Sequence, residues 1–238
     1  MGAHMQRRLS VIGPAPLAYG AAFRLQEDLL ERVLESERRE NFLVLTEHPP
    51  VVTVGRSGKA EELLAGAAEL RRRGVAVEST NRGGKLTLHA PGQLVAYPVI
   101  DLKARGADLH VYLRDLEQWL IELLGTYGLR AGTNPPYTGV WADGMKVASI
   151  GIAVRRWVAY HGVALNVAND MSLFDLIVPC GIRGVRMTSM AELLRGQGVG
   201  ADDVSVEQVS RRASALFARR FGFETLVREC APAGVESP

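Results

Sequence analysis

Val147-Ala148-Ser149-Ile150-Gly151-Ile152-Ala153-Val154, then Arg155-Arg156, then Trp157-Val158-Ala159-Tyr160-His161-Gly162-Val163-Ala164-Leu165-Asn166-Val167: two apolar runs of strand length, broken once by paired arginines. Runs rich in Val, Ile and aromatic residues fit strands, and the charged pair between them fits a turn, so the stretch predicts two paired strands. Upstream, Phe42–Thr46 and Val51–Val54 are short apolar runs split by His48-Pro49-Pro50, whose prolines cannot donate to a ladder. Val75–Glu78, Leu86–Leu88 and Leu94–Val99 also read as strands, the last two joined through Pro91-Gly92. Helical spacing marks other segments. Leu25, Leu29 and Val33 place an amphipathic helix at 21–39, and Glu61–Arg73 reads as a helix stopping at Gly74. Leu109, Tyr112, Leu113, Leu116, Leu120, Leu123, Leu124 and Tyr127 form one stripe, with Asp108 placed to cap it. Gly132–Pro136 reads as a loop. Ser189 with Glu192 resembles a capping box, and Ser205 with Gln208 opens a last helix to about Arg220. Helices mixed with hairpin-like strand pairs predict α+β: one domain over residues 5–230 with a mixed, largely antiparallel sheet flanked by helices.

The 238 residues, 47% hydrophobic and 23% charged, suffice for one large core. No apolar run approaches the roughly 20 residues that span a bilayer, so no membrane segment is expected. Gly2-Ala3-His4 ahead of Met5 reads as an expression-tag remnant over residues 1–4, with no signal-peptide pattern. Two cysteines, Cys180 and Cys230, do not make a disulfide framework and fit a reducing, cytoplasmic setting. A net charge of +2 does not mark a nucleic-acid binder. The clusters Arg71-Arg72-Arg73, Arg155-Arg156, Arg211-Arg212 and Arg219-Arg220 read as solvated faces, or as a face for an acidic protein partner.

The chemistry rests on Lys146 and Cys180. A lysine inside an otherwise apolar run is costly to bury unless something uses it. Cys180, between Pro179 and Gly181, sits on a fixed loop. An ammonium beside a thiol favours the thiolate, the form that attacks acyl groups, and the same lysine can take a proton from an attacking amine. Backbone amides near Cys180 are expected as oxyanion donors. Arg82-Gly83-Gly84 ends a polar turn where paired glycines admit close approach of a ligand, and a plain tight turn would look the same. His89 and His161 read either as pocket groups or as satisfied structural histidines. Gly151 and Gly162, in neighbouring strands, are expected to open a slot for a slim aliphatic chain. The histidines are scattered and there is no Cys-x-x-Cys, Walker loop or dinucleotide fingerprint, so no metal, nucleotide or cofactor site is expected.

Taken together, Glu47–Gly55, Arg82-Gly83-Gly84, His89–Pro98, Thr138-Gly139-Val140-Trp141, Lys146, His161–Asn166 and Pro179-Cys180-Gly181-Ile182 resemble the lipoyl(octanoyl) transferase family, in order and without a large gap from about residue 17 to about 195. The resemblance implies a fold like the catalytic domain of biotin and lipoate protein ligases. It implies transfer of an octanoyl group from octanoyl-acyl carrier protein to a lysine of lipoyl domains, as in 2-oxoacid dehydrogenase complexes, or of the glycine-cleavage H protein. Cys180 matches the family's thioester nucleophile, and Lys146 the lysine that favours its thiolate. Arg82, Gly83, Gly84, Lys85, Leu86, Thr87, Leu88 and His89 match its substrate-binding stretch, as do Ser149, Ile150 and Gly151, and Gly162, Val163 and Ala164. His161 and Asn166 are added as possible pocket residues. Leu88 and Ala90 depart from the family's Tyr and Gly, and are expected to reshape the acyl pocket. The alternatives are an ATP-dependent ligase of the same fold, an amidotransferase moving octanoyl between protein lysines, and a non-catalytic binding protein that kept the pocket.

Overall fold

The computed structural model describes residues 8–36, 40–200 and 204–229. In chain order these form β1 (Arg8–Pro16), α1 (Tyr19–Glu35), β2 (Phe42–Glu47), β3 (Val51–Val54), α2 (Ala67–Arg72), β4 (Ala76–Ser79), β5 (Leu86–His89), β6 (Gln93–Asp101), α3 (Leu109–Gly125), β7 (Gly132–Asn134), β8 (Tyr137–Ala142), β9 (Met145–Arg155), β10 (Val158–Asn166), α4 (Met190–Gly196), α5 (Val206–Arg220) and β11 (Thr225–Glu229). Residues 1–4, 37–39 and Cys230 lie outside the described residues.

β9 and β10 pair antiparallel from Ala148↔Leu165 to Arg155↔Val158. The turn is Arg156-Trp157, one residue later than the sequence suggests. Both residues have positive φ (51° and 67°), the conformation whose twist matches a two-residue hairpin. The hairpin lies inside a mixed sheet of order β11-β1-β2-β6-β10-β9-β8-β7, and a smaller sheet of order β4-β3-β5 stands beside it. β1 runs parallel to β11 and β2, and β4 parallel to β3, while the other pairs are antiparallel.

The large sheet is buried on both faces, which is why β2 and β6 read as continuous apolar runs. Leu94, Ala96 and Ile100 join Leu43, Leu45 and the α3 and α5 side chains Leu116, Trp119, Leu120 and Phe217. The alternate residues Val95, Tyr97 and Val99 join Phe42, Val44 and the α1 residues Leu25, Leu29 and Val33. Local signals set the helix starts. Asp108 accepts from the His110 and Val111 amides (2.8 and 3.1 Å), Ser189 from Glu192 N (3.3 Å) and Ser205 from Gln208 N (3.3 Å). Half of the expected box at Ser189 is diverted: Glu192 Oε2 accepts from Thr188 Oγ1 (3.0 Å).

Several expectations change. Glu61–Arg73 is not one helix but a 3-10 turn at Ala60–Glu62 and the short α2. Between them Leu63 bridges Ile177, and Leu64 N and Ala65 N donate to Leu176 O (2.9 and 3.2 Å), so a distant segment takes the amides a helix would use. β5 and β6 are neighbours in the chain but belong to different sheets. β7 occupies part of the expected loop, and β1, β8 and β11 are added. Among the described residues no helix is long and apolar enough to cross a membrane.

Candidate active site

The two sheets meet around a cavity of about 580 Å³. Its walls include the loop 82–87, the middle of β9 and β10, Pro136–Thr138, and the turn Cys180–Ile182. Cys180 sits half-buried in the 3-10 turn Pro179–Gly181 with φ 55°, ψ 16°, followed by Gly181 at φ 65°. Two residues in this left-handed region bend the chain sharply. Glu62 O accepts from Val178 N (2.7 Å) and anchors the turn's entry.

Lys146, at the start of β9, is 1% exposed. Its Nζ donates to Thr138 O (3.0 Å) and to Cys180 Sγ (3.5 Å), and lies 4.7 Å from the centre of the Trp141 ring. A buried ammonium needs such partners, since desolvation costs several kcal/mol per ion. Gly139 makes room for the lysine stem: a Cβ there would fall 2.8 Å from Lys146 Cε. Gly139 is held in turn by Glu117 of α3, whose Oε1 accepts its amide (2.9 Å). Neither Glu117 nor the Thr138 carbonyl was expected as a site group. The only sequence signal was the Thr138–Trp141 motif. Ser149 Oγ lies 3.7 Å from Cys180 Sγ. The amides after Cys180 are committed within the turn, Gly181 N to Val178 O and Ile182 N to Pro179 O (both 3.0 Å). Lys146 Nζ donates to the sulfur and Ser149 Oγ lies beside it, while these two backbone amides are already engaged.

Arg82 is buried with its guanidinium turned inward, donating to Thr53 O (2.8 Å), Thr53 Oγ1 (2.8 Å) and Gly83 O (3.1 Å). Burial lowers it below the usual arginine range, with Tyr19, Cys180 and Tyr97 acting the other way. The Gly83 amide donates to Ile152 O (2.8 Å), which ties this loop to β9. Lys85 pairs with Glu62 (2.7 Å), and its stem lies where a Cβ on Gly181 would be, 2.2 Å from Lys85 Cδ.

The structure brings Arg82–Thr87, His89, Ser149–Gly151 and Gly162–Ala164 to the same cavity as Lys146 and Cys180. It places Leu88, His161 and Asn166 elsewhere. Leu88, and Ala90 with it, point into the small-sheet core with Val52, Leu173 and Leu176, so neither shapes the cavity wall. Leu86 both joins this core and borders the cavity, whereas Leu88, further along β5, lies in the core alone. Gly151 and Gly162 border the cavity and pair across the hairpin, but the space their side chains would fill is taken. A Cβ on Gly162 would meet Ala96 O at 2.2 Å, and one on Gly151 would meet Gly83 O at 3.1 Å.

His89 has a fixed tautomer. Asn166 Nδ2 donates to Thr188 O (3.0 Å), so Asn166 Oδ1 faces Gln93 Nε2 (2.8 Å), which also donates to Leu88 O (3.1 Å). Gln93 Oε1 must then accept from His89 Nδ1–H (2.8 Å), and His89 Nε2 keeps its lone pair. His161 stands at a break in the β6–β10 ladder opposite Pro98, which has no amide to give. Its φ is 56°. Its amide donates instead to Gln26 Oε1 (2.8 Å), and its Nε2 donates to Asn81 Oδ1 (2.7 Å).

Burial lowers His48 to about 4 and His161 to about 3, Arg82 adding to the latter. Burial, with His48 next, takes His89 well below its ordinary value. These groups stay neutral in the fold while the unfolded chain protonates below about pH 6.5. Stability is therefore lost as pH falls from about 6.5 toward the folded values. Between pH 7 and pH 5 the expected loss is about 2 kcal/mol for each of His48 and His161, with His89 acting in the same direction. Urea unfolding at the two pH values checks it; equal stabilities would mean that the histidines are not held neutral.

The family model for the lipoyl protein ligase A/B catalytic domain matches residues 18–218. The chain is 47% identical over 208 residues to an octanoyltransferase from Solibacter usitatus, covering 87% of this chain and 90% of that one. It is 46% identical over 207 residues to an octanoyltransferase from Geobacter metallireducens, covering 87% and 92%. A bi-partite lipoate protein ligase from Thermoplasma acidophilum has the same fold, with a TM-score of 0.70 at 16% identity over 97% of this chain and 89% of that one.

Proposed function

Because this chain belongs to the lipoyl protein ligase A/B catalytic-domain family, and within it to the octanoyltransferases, we propose that it carries its acyl group on Cys180. It is an acyltransferase of lipoyl protein modification. The donor in this reading is octanoyl-acyl carrier protein, and the acceptors are lysines of lipoyl domains and of the glycine-cleavage H protein. The Cys180 thiolate attacks the thioester carbonyl, the bond to the carrier sulfur breaks, and the carrier leaves as its thiol after taking a proton. The neutral acceptor amine then attacks the Cys180 thioester. It gives up one proton as the amide forms, and the Cys180 sulfur leaves as the thiolate that began the cycle. Lys146 manages the proton in both halves.

The observation that supports this most is the 3.5 Å approach of Lys146 Nζ to Cys180 Sγ at the wall of the cavity. The loops 82–87, 149–151 and 162–164 bind the acyl chain in the same reading. A thioester is already activated, so the reaction needs no ATP, metal or other cofactor. The free thiol it requires fits a reducing cytoplasm. The test supplies a lipoyl domain with either octanoyl-acyl carrier protein alone or free octanoate plus ATP. Transfer is expected only from the first. Transfer only from the second would replace this reading with the ligase.

A further inference from the structure

Asn166, the last residue of β10, is 1% exposed and is not among the residues that line the cavity. Its bonds lie at a junction. Ala148 is the last β9 residue paired with β10, through Leu165. One turn of the ladder further, β9 has a different neighbour on that side. Lys146 N donates to Arg186 O (2.8 Å), Thr188 N donates to Lys146 O (3.0 Å), and Met187 bridges Lys146 in parallel. The segment 186–188 thus takes β10's place beside the lysine. Asn166 closes the seam: its Nδ2 donates to Thr188 O (3.0 Å), and its Oδ1 accepts from Gln93 Nε2 (2.8 Å) and Asn169 Nδ2 (3.3 Å).

The same stretch of chain leads back to Cys180. It is held before the turn by Glu62 O and after it by the Lys146 backbone and Asn166. From this geometry we infer that Asn166 is a positioning residue for the transfer: it locks 186–188 against Lys146 and so sets the separation of Lys146 Nζ and Cys180 Sγ. This rests on the reading that those two groups act together. The position demands an amide. The Thr188 carbonyl needs a donor and Gln93 needs an acceptor, so a carboxylate cannot serve both, and glutamine is one methylene too long.

The test uses Asn166→Ala, with Asn166→Ser as a smaller change whose hydroxyl is too short to reach Thr188. Asn169→Ala is the matched control, since it removes another hydrogen bond to the same Asn166 oxygen and leaves the Thr188 bond intact. The readouts are single-turnover acylation by octanoyl-acyl carrier protein, iodoacetamide labelling of the Cys180 peptide at pH 7, and the melting temperature. Both Asn166 variants are expected to slow acylation and labelling about tenfold or more, with the donor KM within about twofold of the original. Asn169→Ala is expected to lower the melting temperature and keep both rates. Unchanged rates in the Asn166 variants, or an equal loss of rate in Asn169→Ala, would overturn the inference. Lys146→Met separates the two levels. If it leaves Cys180 labelling unchanged, the pairing itself is wrong; if it slows labelling while the Asn166 variants do not, only the role of Asn166 is wrong.

Discussion

Cys180→Ala is expected to lower octanoyl transfer by at least about 10³-fold, the scale seen when a covalent nucleophile is removed. The fold should survive. Cys180 is half-buried on a turn, and its Sγ makes polar contact with Lys146 Nζ and Ser149 Oγ. Lys146 keeps Thr138 O and the Trp141 ring. Alanine retains the Cβ, so the positive φ at this position is no harder to hold. A steady-state transfer assay and a melting curve on the same preparation separate the two effects. Near-normal transfer by a folded Cys180→Ala protein would remove the covalent step from the account.

Gly162→Ala is expected to destabilise the fold by about 3 kcal/mol or more, at the upper end of overpacking costs. The added Cβ would stand 2.2 Å from Ala96 O and 2.7 Å from Pro98 Cδ, both parts of β6 rather than the end of a flexible side chain. Relief requires prising β10 from β6, the two strands at the middle of the large sheet. Gly151→Ala is the contrast. Its nearest neighbours would be Gly83 O at 3.1 Å and Arg82 Cδ at 3.2 Å, so the neighbours need give by only a few tenths of an ångström. About 1 kcal/mol or less is expected there. Urea midpoints compare the pair, and similar losses at both positions would contradict the difference in packing.

What could be read from the residues alone follows how local each signal is. The α3 stripe with Asp108, the α5 start at Ser205 and the β9–β10 hairpin are written within single segments, and they stand nearly where expected. The α+β class follows from them. The Glu61–Arg73 helix failed because Leu63, Leu64 and Ala65 bond to residues more than 100 positions away. β1 and β11 pair the two ends of the described chain, so neither carries a local partner in the sequence. At the site, Lys146 and Cys180 stood out because each is odd for its surroundings. The roles of Glu117, Gly139 and Asn166 were hidden because they act through backbone groups, which every residue has. Gly162 borders the cavity, and the place its own side chain would take is filled by the carbonyl of Ala96, a contact with no local signal in the sequence.

In the proposed reaction Cys180 holds the octanoyl group. Intact-protein mass spectrometry of the enzyme mixed with octanoyl-acyl carrier protein, without ATP, tests it most directly. One octanoyl mass increment is expected, lost on adding a lipoyl domain and absent from Cys180→Ala. Octanoyl transfer to the lipoyl domain with no increment on the enzyme under single-turnover conditions, or an increment that persists in Cys180→Ala, would contradict it.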